Sequence, residues 1–114
     1  MRWWSRVVPG VSLALVLSST SAVGQSKPLA GVIDFHVHSG PDSRPRSVSD
    51  LDIARIAKRA GMRGLVFKNH FTMTADRAAL AMEEVGGIEI FGGVALNKAV
   101  GGLNAEAVRQ LVAF

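Results

Sequence analysis

The chain has 114 residues, 48% of them hydrophobic, with 13 basic, 9 acidic and no cysteine. Without cysteine it can form no disulfide, no thiolate metal site and no cysteine nucleophile. Arg2 and Arg6 are two of the basic residues, which leaves 11 against 9 over the remainder. No basic stripe runs through that remainder, so nucleic-acid binding is not expected.

Met1 to Gln25 has the three parts of a secretory signal. Arg2 and Arg6 give a positive start, Val11 to Leu17 an apolar stretch, and Ala22 and Gly24 the small residues of a cleavage site. A cut after Gly24 makes 1–24 a signal peptide, 25–30 a linker and 31–114 the domain. Pro9 and Gly10 interrupt the apolar run, which falls short of the ~20 residues that span a bilayer. The expected product is exported, periplasmic or extracellular, with no stable membrane anchor after cleavage. Arg2 and Arg6 are not adjacent, which favours the general secretion route.

Gly31 to His38 (GVIDFHVH) is rich in β-branched and aromatic residues and reads as a buried strand. The turn-forming segment SGPDSRPRS follows it. Ser49 can cap a helix, with Asp50 and Asp52 favourable in its first turn. Leu51, Ile53, Ala54, Ile56, Ala57 and Ala60 recur at helical spacing, and Gly61 suits the stop. Gly64 to Lys68 reads as a second strand leading into Asn69 and His70. Thr74 can cap a second helix through Val85, closed by Gly86 and Gly87. Ile88 to Leu96 reads as a third strand, in which Gly92 and Gly93 mark a bend or a close backbone approach. Asn104 can cap a last helix carrying Val108, Leu111 and Val112.

Strand and helix alternating three times imply a parallel sheet with right-handed crossovers. A barrel and a doubly wound sheet both satisfy that order. The segment HSGPDSR after the first strand is not a phosphate-binding glycine fingerprint, which counts against a nucleotide-binding Rossmann unit.

All three histidines fall at strand ends. Side chains alternate along a strand, so Asp34, His36 and His38 are expected on one face. His36 and His38 lie ~7 Å apart along it, and two imidazoles at that spacing can converge on one ion at ~2.0–2.1 Å each. The C-terminal ends of the strands are also the rim where parallel α/β barrels place their active sites. Lys68 and His70 repeat the i, i+2 spacing at the end of the second strand. Lys68 can act in proton transfer, as an anion clamp or as a modified metal-bridging lysine, or it can reach solvent from the strand end. Asn97 and Lys98 are expected to end the third strand and so to face the same rim. Arg44 and Arg46, in the first loop, can bind an acidic substrate or remain solvated. Asp42 is either an outer partner orienting a histidine or a turn residue after Pro41.

GVIDFHVHSGPD resembles the first-strand signature of the amidohydrolase superfamily, and LVFKNH and FGGVALNKAVGGLN resemble an uncharacterised branch of these metal-dependent hydrolases. The likeness extends over roughly residues 30 to 112. It implies a partial (β/α)8 TIM barrel, the first three strand–helix units, with His36 and His38 as metal ligands and His70 beside them. It also implies a divalent metal, zinc first with iron, manganese or nickel as alternatives, and hydrolysis of an amide, ester or related bond in a small-molecule substrate. From their positions Lys68, Asn97 and Arg44 are candidates for metal bridging or substrate binding, and Asp34 and Asp42 for outer support. A bridging lysine in that family comes from a mid-barrel strand, which Lys68 on the second strand does not match. Ligands and the general base supplied by later strands of that family have no counterpart in three units, so efficient turnover by this chain alone is not expected. The competing readings are a noncatalytic metal-binding or assembly fragment, self-associating through an exposed sheet edge, and a phosphoesterase with the same H-x-H site.

Overall fold

The computed structural model describes residues 27–114. The signal-peptide expectation for 1–24 lies outside the described residues. The elements are β1 (Ile33–Val37), α1 (Asp50–Arg59), β2 (Gly64–Phe67), α2 (Ala75–Val85), β3 (Glu89–Phe91), a 3-10 turn (Lys98–Val100) and α3 (Ala105–Val112). The sheet order is β1-β2-β3 and both pairings are parallel. This alternating topology, with an unclosed sheet, corresponds to the first three units of a TIM-barrel-like fold. A small parallel sheet flanked by helices is also a fold class that several α/β superfamilies share.

The core forms where the helices meet the sheet. Val37, Leu65, Phe67, Ile88 and Ile90 from the strand segments pack with Ala54 and Ala57 of α1 and Ala78 and Ala81 of α2. Alanine at all four helical positions lets the helices lie close to the sheet. The larger side chains come from β2, where Leu65 and Phe67 are fully buried, each contributing about 1.5–3 kcal/mol. Leu51, Ile53, Met62 and Val85 close the margin of this core. No helix among the described residues is long and apolar enough to cross a membrane.

The helix ends follow chain chemistry. Ser49 Oγ accepts from the Asp52 amide at the start of α1, and the Asn104 side chain accepts from the Glu106 and Ala107 amides at the start of α3. After α1 the chain turns through Gly61 at φ +80°, a backbone conformation that side chains disfavour.

Three expectations need correction. Thr74 sits at the α2 start but makes no capping bond. Its hydroxyl is completely buried and bonds Phe67 O at 2.7 Å, while the Gly93 amide donates to it at 2.8 Å. It therefore ties the ends of β2 and β3 together. The third strand stops at Phe91 instead of running to Leu96. Gly92 explains the stop, because a Cβ there would lie 2.3 Å from Ala75 Cα and 2.5 Å from its amide nitrogen. Finally, β1 spans Ile33–Val37 and its register slips between Asp34 and Val37. Three residue steps on β1 face two on β2, which is a β-bulge.

Gly92→Ala is expected to destabilise the domain by at least about 1–3 kcal/mol, because the obstructing atoms are backbone that must shift. A urea midpoint unchanged from the parent would contradict this close approach.

Candidate functional site

The bulge in β1, between Asp34 and Val37, contains His36 and lies just before His38. Asp34 Oδ1 accepts from the His36 amide at 2.9 Å, so the carboxylate braces the bulge instead of orienting an imidazole. The simple alternation expected for Asp34, His36 and His38 is thus interrupted between Asp34 and Val37. Bulges characteristically re-aim the side chains that follow them, and here the two rings converge. His36 Nε2 and His38 Nε2 are 3.1 Å apart, with ring centroids separated by 5.0 Å. His70 arrives from the loop after β2 and stacks on His38, centroids 4.9 Å apart and planes inclined by 22°.

Two ring nitrogens at this distance cannot both carry a proton toward each other. They can share one proton, or present two lone pairs to one cation. Nitrogens 3.1 Å apart, each ~2.0–2.1 Å from a common ion, subtend about 100° there, a workable chelate angle. The pair therefore fits a divalent metal as a two-nitrogen chelate. No group of three or more His, Asp or Glu among the described residues is drawn together in a metal-holding arrangement. His38 Nδ1 is buried with no hydrogen-bond partner. In metal sites that second nitrogen usually donates to a carbonyl or carboxylate, so the outer support of His38 is incomplete. Burial lowers the His38 pKa, and the charges of Arg46, His70 and His36 push in the same direction against Asp42. That direction favours the neutral ring, the form that ligates metals.

The loop between β1 and α1 is closed at its base. Gly40 N donates to Val48 O at 2.9 Å and Asp50 N to Gly40 O at 2.8 Å, and the Gly40–Pro41 peptide is cis. Inside the loop Asp42 is held by Arg46, whose Nε donates to it at 2.7 Å. The Asp42 side chain is fully covered. Its partners are Arg46, the Arg44 amide and Ser43, and none is a histidine. Desolvation would raise its pKa, but the bonds from Arg46, the Arg44 amide and Ser43, with the Arg46 charge, outweigh it and bring the value down to about 2.

A carboxylate whose folded pKa is depressed adds stability above its unfolded pKa of about 3.9, and that stability is lost as pH falls through the folded value. The stability advantage of the parent over Asp42→Asn is expected to be complete at about pH 5 and to shrink from about pH 4 toward pH 2. Thermal midpoints across that interval check it; an advantage independent of pH would contradict it.

The remaining candidates surround the histidines. The Lys68 amide donates to Val37 O at 2.8 Å, continuing the ladder and setting Lys68 beside His38. Asn97 stands before the 3-10 turn, not on a third strand, yet it reaches the same rim, because its Nδ2 donates to His70 O at 2.8 Å. Arg44 lies over the Phe71 ring at 5.4 Å, and Phe71 meets His70 edge-on at 6.1 Å. A hollow of about 380 Å³ opens between the two loops, lined in part by Asp42, Ser43, Asn69 and Phe71.

Sequence reasoning missed the polar foundation under this rim. Asp50 is buried, accepts from Ser39 Oγ, and takes both the Nε and a terminal nitrogen of Arg77 at 2.8 Å. Arg77 also donates to Ser39 O at 3.2 Å. One network thereby fixes the residue after His38 to both α1 and α2. Asn69, also buried, accepts from the Phe71 and Thr72 amides and shapes the turn that carries His70. The available signal was an arginine on the second helix with no acidic neighbour placed to pair with it across that helix.

Residues 31–114 match the model of a family described as a family of unknown function (DUF6282), and the chain belongs to that family. No curated protein and no solved structure matches the chain.

Proposed function

We propose that the histidine rim is the start of a divalent-metal centre in an exported metal-dependent hydrolase of amidohydrolase type. The observation that carries this reading is the convergence of His36 and His38 Nε2 to 3.1 Å at the C-terminal end of the sheet. The partial α/β fold is consistent with part of a larger enzyme-like domain, and a parallel sheet of this kind builds its active site at that end.

In this reading His36 and His38 hold the metal through their Nε2 atoms, with His70 as the neighbouring third donor. Zinc suits an imidazole set; iron, manganese and nickel are the alternatives. When bound, such a metal supplies a water of lowered pKa and polarises the bond to be cleaved, an amide, ester or related linkage in a small molecule. The chain's own residues provide orientation. Asp34 braces the bulge that aims His36, the Ser39–Asp50–Arg77 network anchors the backbone after His38, and Asn97 secures the His70 backbone. Lys68 and Arg44 are available to position substrate. With two nitrogens converged, His70 beside them and no group of three drawn into a metal-holding arrangement among the described residues, turnover by this chain alone remains far below ordinary enzyme rates.

Zinc titration of the full chain, followed through the imidazole nitrogen resonances, tests this. His36 and His38 Nε2 are expected to shift together and saturate at one equivalent. Resonances that do not move, or that move without saturating, would defeat the reading.

The unclosed sheet favours a second reading, a noncatalytic unit that associates through its edges. Phe35 on β1 and Phe91 on β3 are 70% and 47% exposed, and unpaired edges invite strand addition. A concentration-dependent rise in mass by sedimentation, unaffected by zinc, would support it.

A further inference from the structure

We propose that the hollow between the β1–α1 and β2–α2 loops is a ligand-binding subsite for an uncharged carbonyl group on an apolar body, with Asn69 Nδ2 as its hydrogen-bond donor. This deepens the hydrolase reading and rests on it only in treating the bound group as part of a substrate.

One end of the Asn69 carboxamide is committed and the other is open. Its Oδ1 accepts from the Phe71 amide at 2.8 Å and from the Thr72 amide at 3.3 Å. Both partners are N–H donors, so the atom facing them is the oxygen and the opposite end is an NH2 with two hydrogens. That NH2 donates to no acceptor among the described residues, although Asn69 is only 4% exposed. Among those residues the side-chain polar atom that is both sealed and without a partner is His38 Nδ1. Asn69 Nδ2 is therefore unpaired yet reachable, and the hollow that Asn69 lines gives that access. Two amides already hold the side chain, so a bond from Nδ2 to a guest costs little further ordering.

The rest of the lining selects the acceptor. Pro41, Phe71 and Met73 form an apolar wall around a volume of about 380 Å³, a size at which small molecules are held. Asp42, Asp76 and Arg77 also line the hollow. Asp42 is matched by Arg46 and Arg77 by Asp50, whereas Asp76 takes part in no ion pair among the described residues. The charge left unanswered in the lining is negative, which disfavours an anionic guest and leaves a neutral oxygen as the acceptor. Arg44 stands over the Phe71 ring at 5.4 Å but outside the lining, and steadies that ring by cation–π attraction. Phe71 also joins the hollow to the histidine rim, because its ring centroid is 6.1 Å from that of His70.

The test uses the full chain with chelator present, so zinc plays no part in it. Acetophenone and benzoate share a ring and a carbonyl oxygen, lack an N–H donor and differ in charge. Each is titrated while the Asn69 side-chain and Phe71 amide resonances are followed. Acetophenone is expected to give saturable shifts at both, and benzoate to bind about two- to fivefold more weakly, the range of one exposed like charge. Asn69→Asp keeps the oxygen that the Phe71 and Thr72 amides need and removes the donor, and should weaken acetophenone about two- to tenfold. Asn104 also accepts from two amides, at the start of α3, so Asn104→Asp makes the same exchange elsewhere and should leave binding unchanged. Phe71→Leu tests the apolar wall independently of the Asn69 turn and should weaken acetophenone by a similar two- to tenfold, roughly the worth of an aromatic contact. No saturation by acetophenone, benzoate binding as tightly, or equal affinities in the parent, Asn69→Asp and Phe71→Leu would overturn the subsite. Failure here would leave the zinc titration of His36 and His38 standing, and failure of that titration would leave the hollow a binding site.

Discussion

Replacing His36 and His38 together by alanine is expected to abolish stoichiometric zinc binding while leaving the domain folded. His36 is exposed and is not one of the residues that build the apolar core. His38 is half-buried, but its Nδ1 has no partner, so truncation removes an unsatisfied buried atom whose cost is about 1–3 kcal/mol. Lost ring packing opposes that gain, and the net change in stability should stay within about 1 kcal/mol. Affinity should respond far more strongly. Each single variant leaves one nitrogen of a two-nitrogen chelate, and a loss of about 100-fold or more is expected from each by calorimetric titration, larger than the 10–100-fold typical of outer-shell changes. An unaltered affinity in the double variant would move any metal site away from β1.

Arg77→Met is expected to cost the domain about 3–5 kcal/mol, the largest stability effect of any single change considered for this chain. The Arg77 and Asp50 side chains are 16% and 9% exposed and joined by two bonds of 2.8 Å. Removing the guanidinium leaves Asp50 buried with only the Ser39 hydroxyl as donor. Arg77→Lys should lose less, about 1–2 kcal/mol, because a single ammonium cannot span both carboxylate oxygens and the Ser39 carbonyl. Asp50→Asn combined with Arg77→Met should recover part of the loss by removing the stranded charge. Urea midpoints for the three variants measure this order directly. Since Ser39 follows His38, the Arg77 variants should also weaken zinc binding by roughly tenfold. Equal stability of parent and Arg77→Met would mean that the network does not anchor the rim.

The parallel α/β order was readable because β-branched runs, helical spacing and glycine stops all pointed the same way. The helix starts at Ser49 and Asn104 were legible from local chemistry, since a capping side chain acts within three residues. Thr74 shows the limit of that logic. Its hydroxyl had two uses, and bonds to Phe67 O and from Gly93 N across the sheet displaced the local cap. The third strand was overextended for a similar reason. IEIFGGVAL has strand composition throughout, but the packing of Gly92 against the Ala75 backbone ends it at Phe91. In the rim, the i, i+2 spacing of His36 and His38 located the pair. The bulge that turns them together depends on pairing with β2, which no spacing rule contains. Asp50 and Arg77 are 27 residues apart, and only the folded packing of α1 against α2 joins them.

X-ray absorption on the zinc-loaded full chain examines the proposed centre at the metal itself. A first shell containing two imidazole nitrogens at about 2.0–2.1 Å is expected, with the ring scattering lost in His36→Ala/His38→Ala. An all-oxygen shell, or imidazole scattering that survives in the double variant, would show that the converging histidines of β1 are not a metal centre.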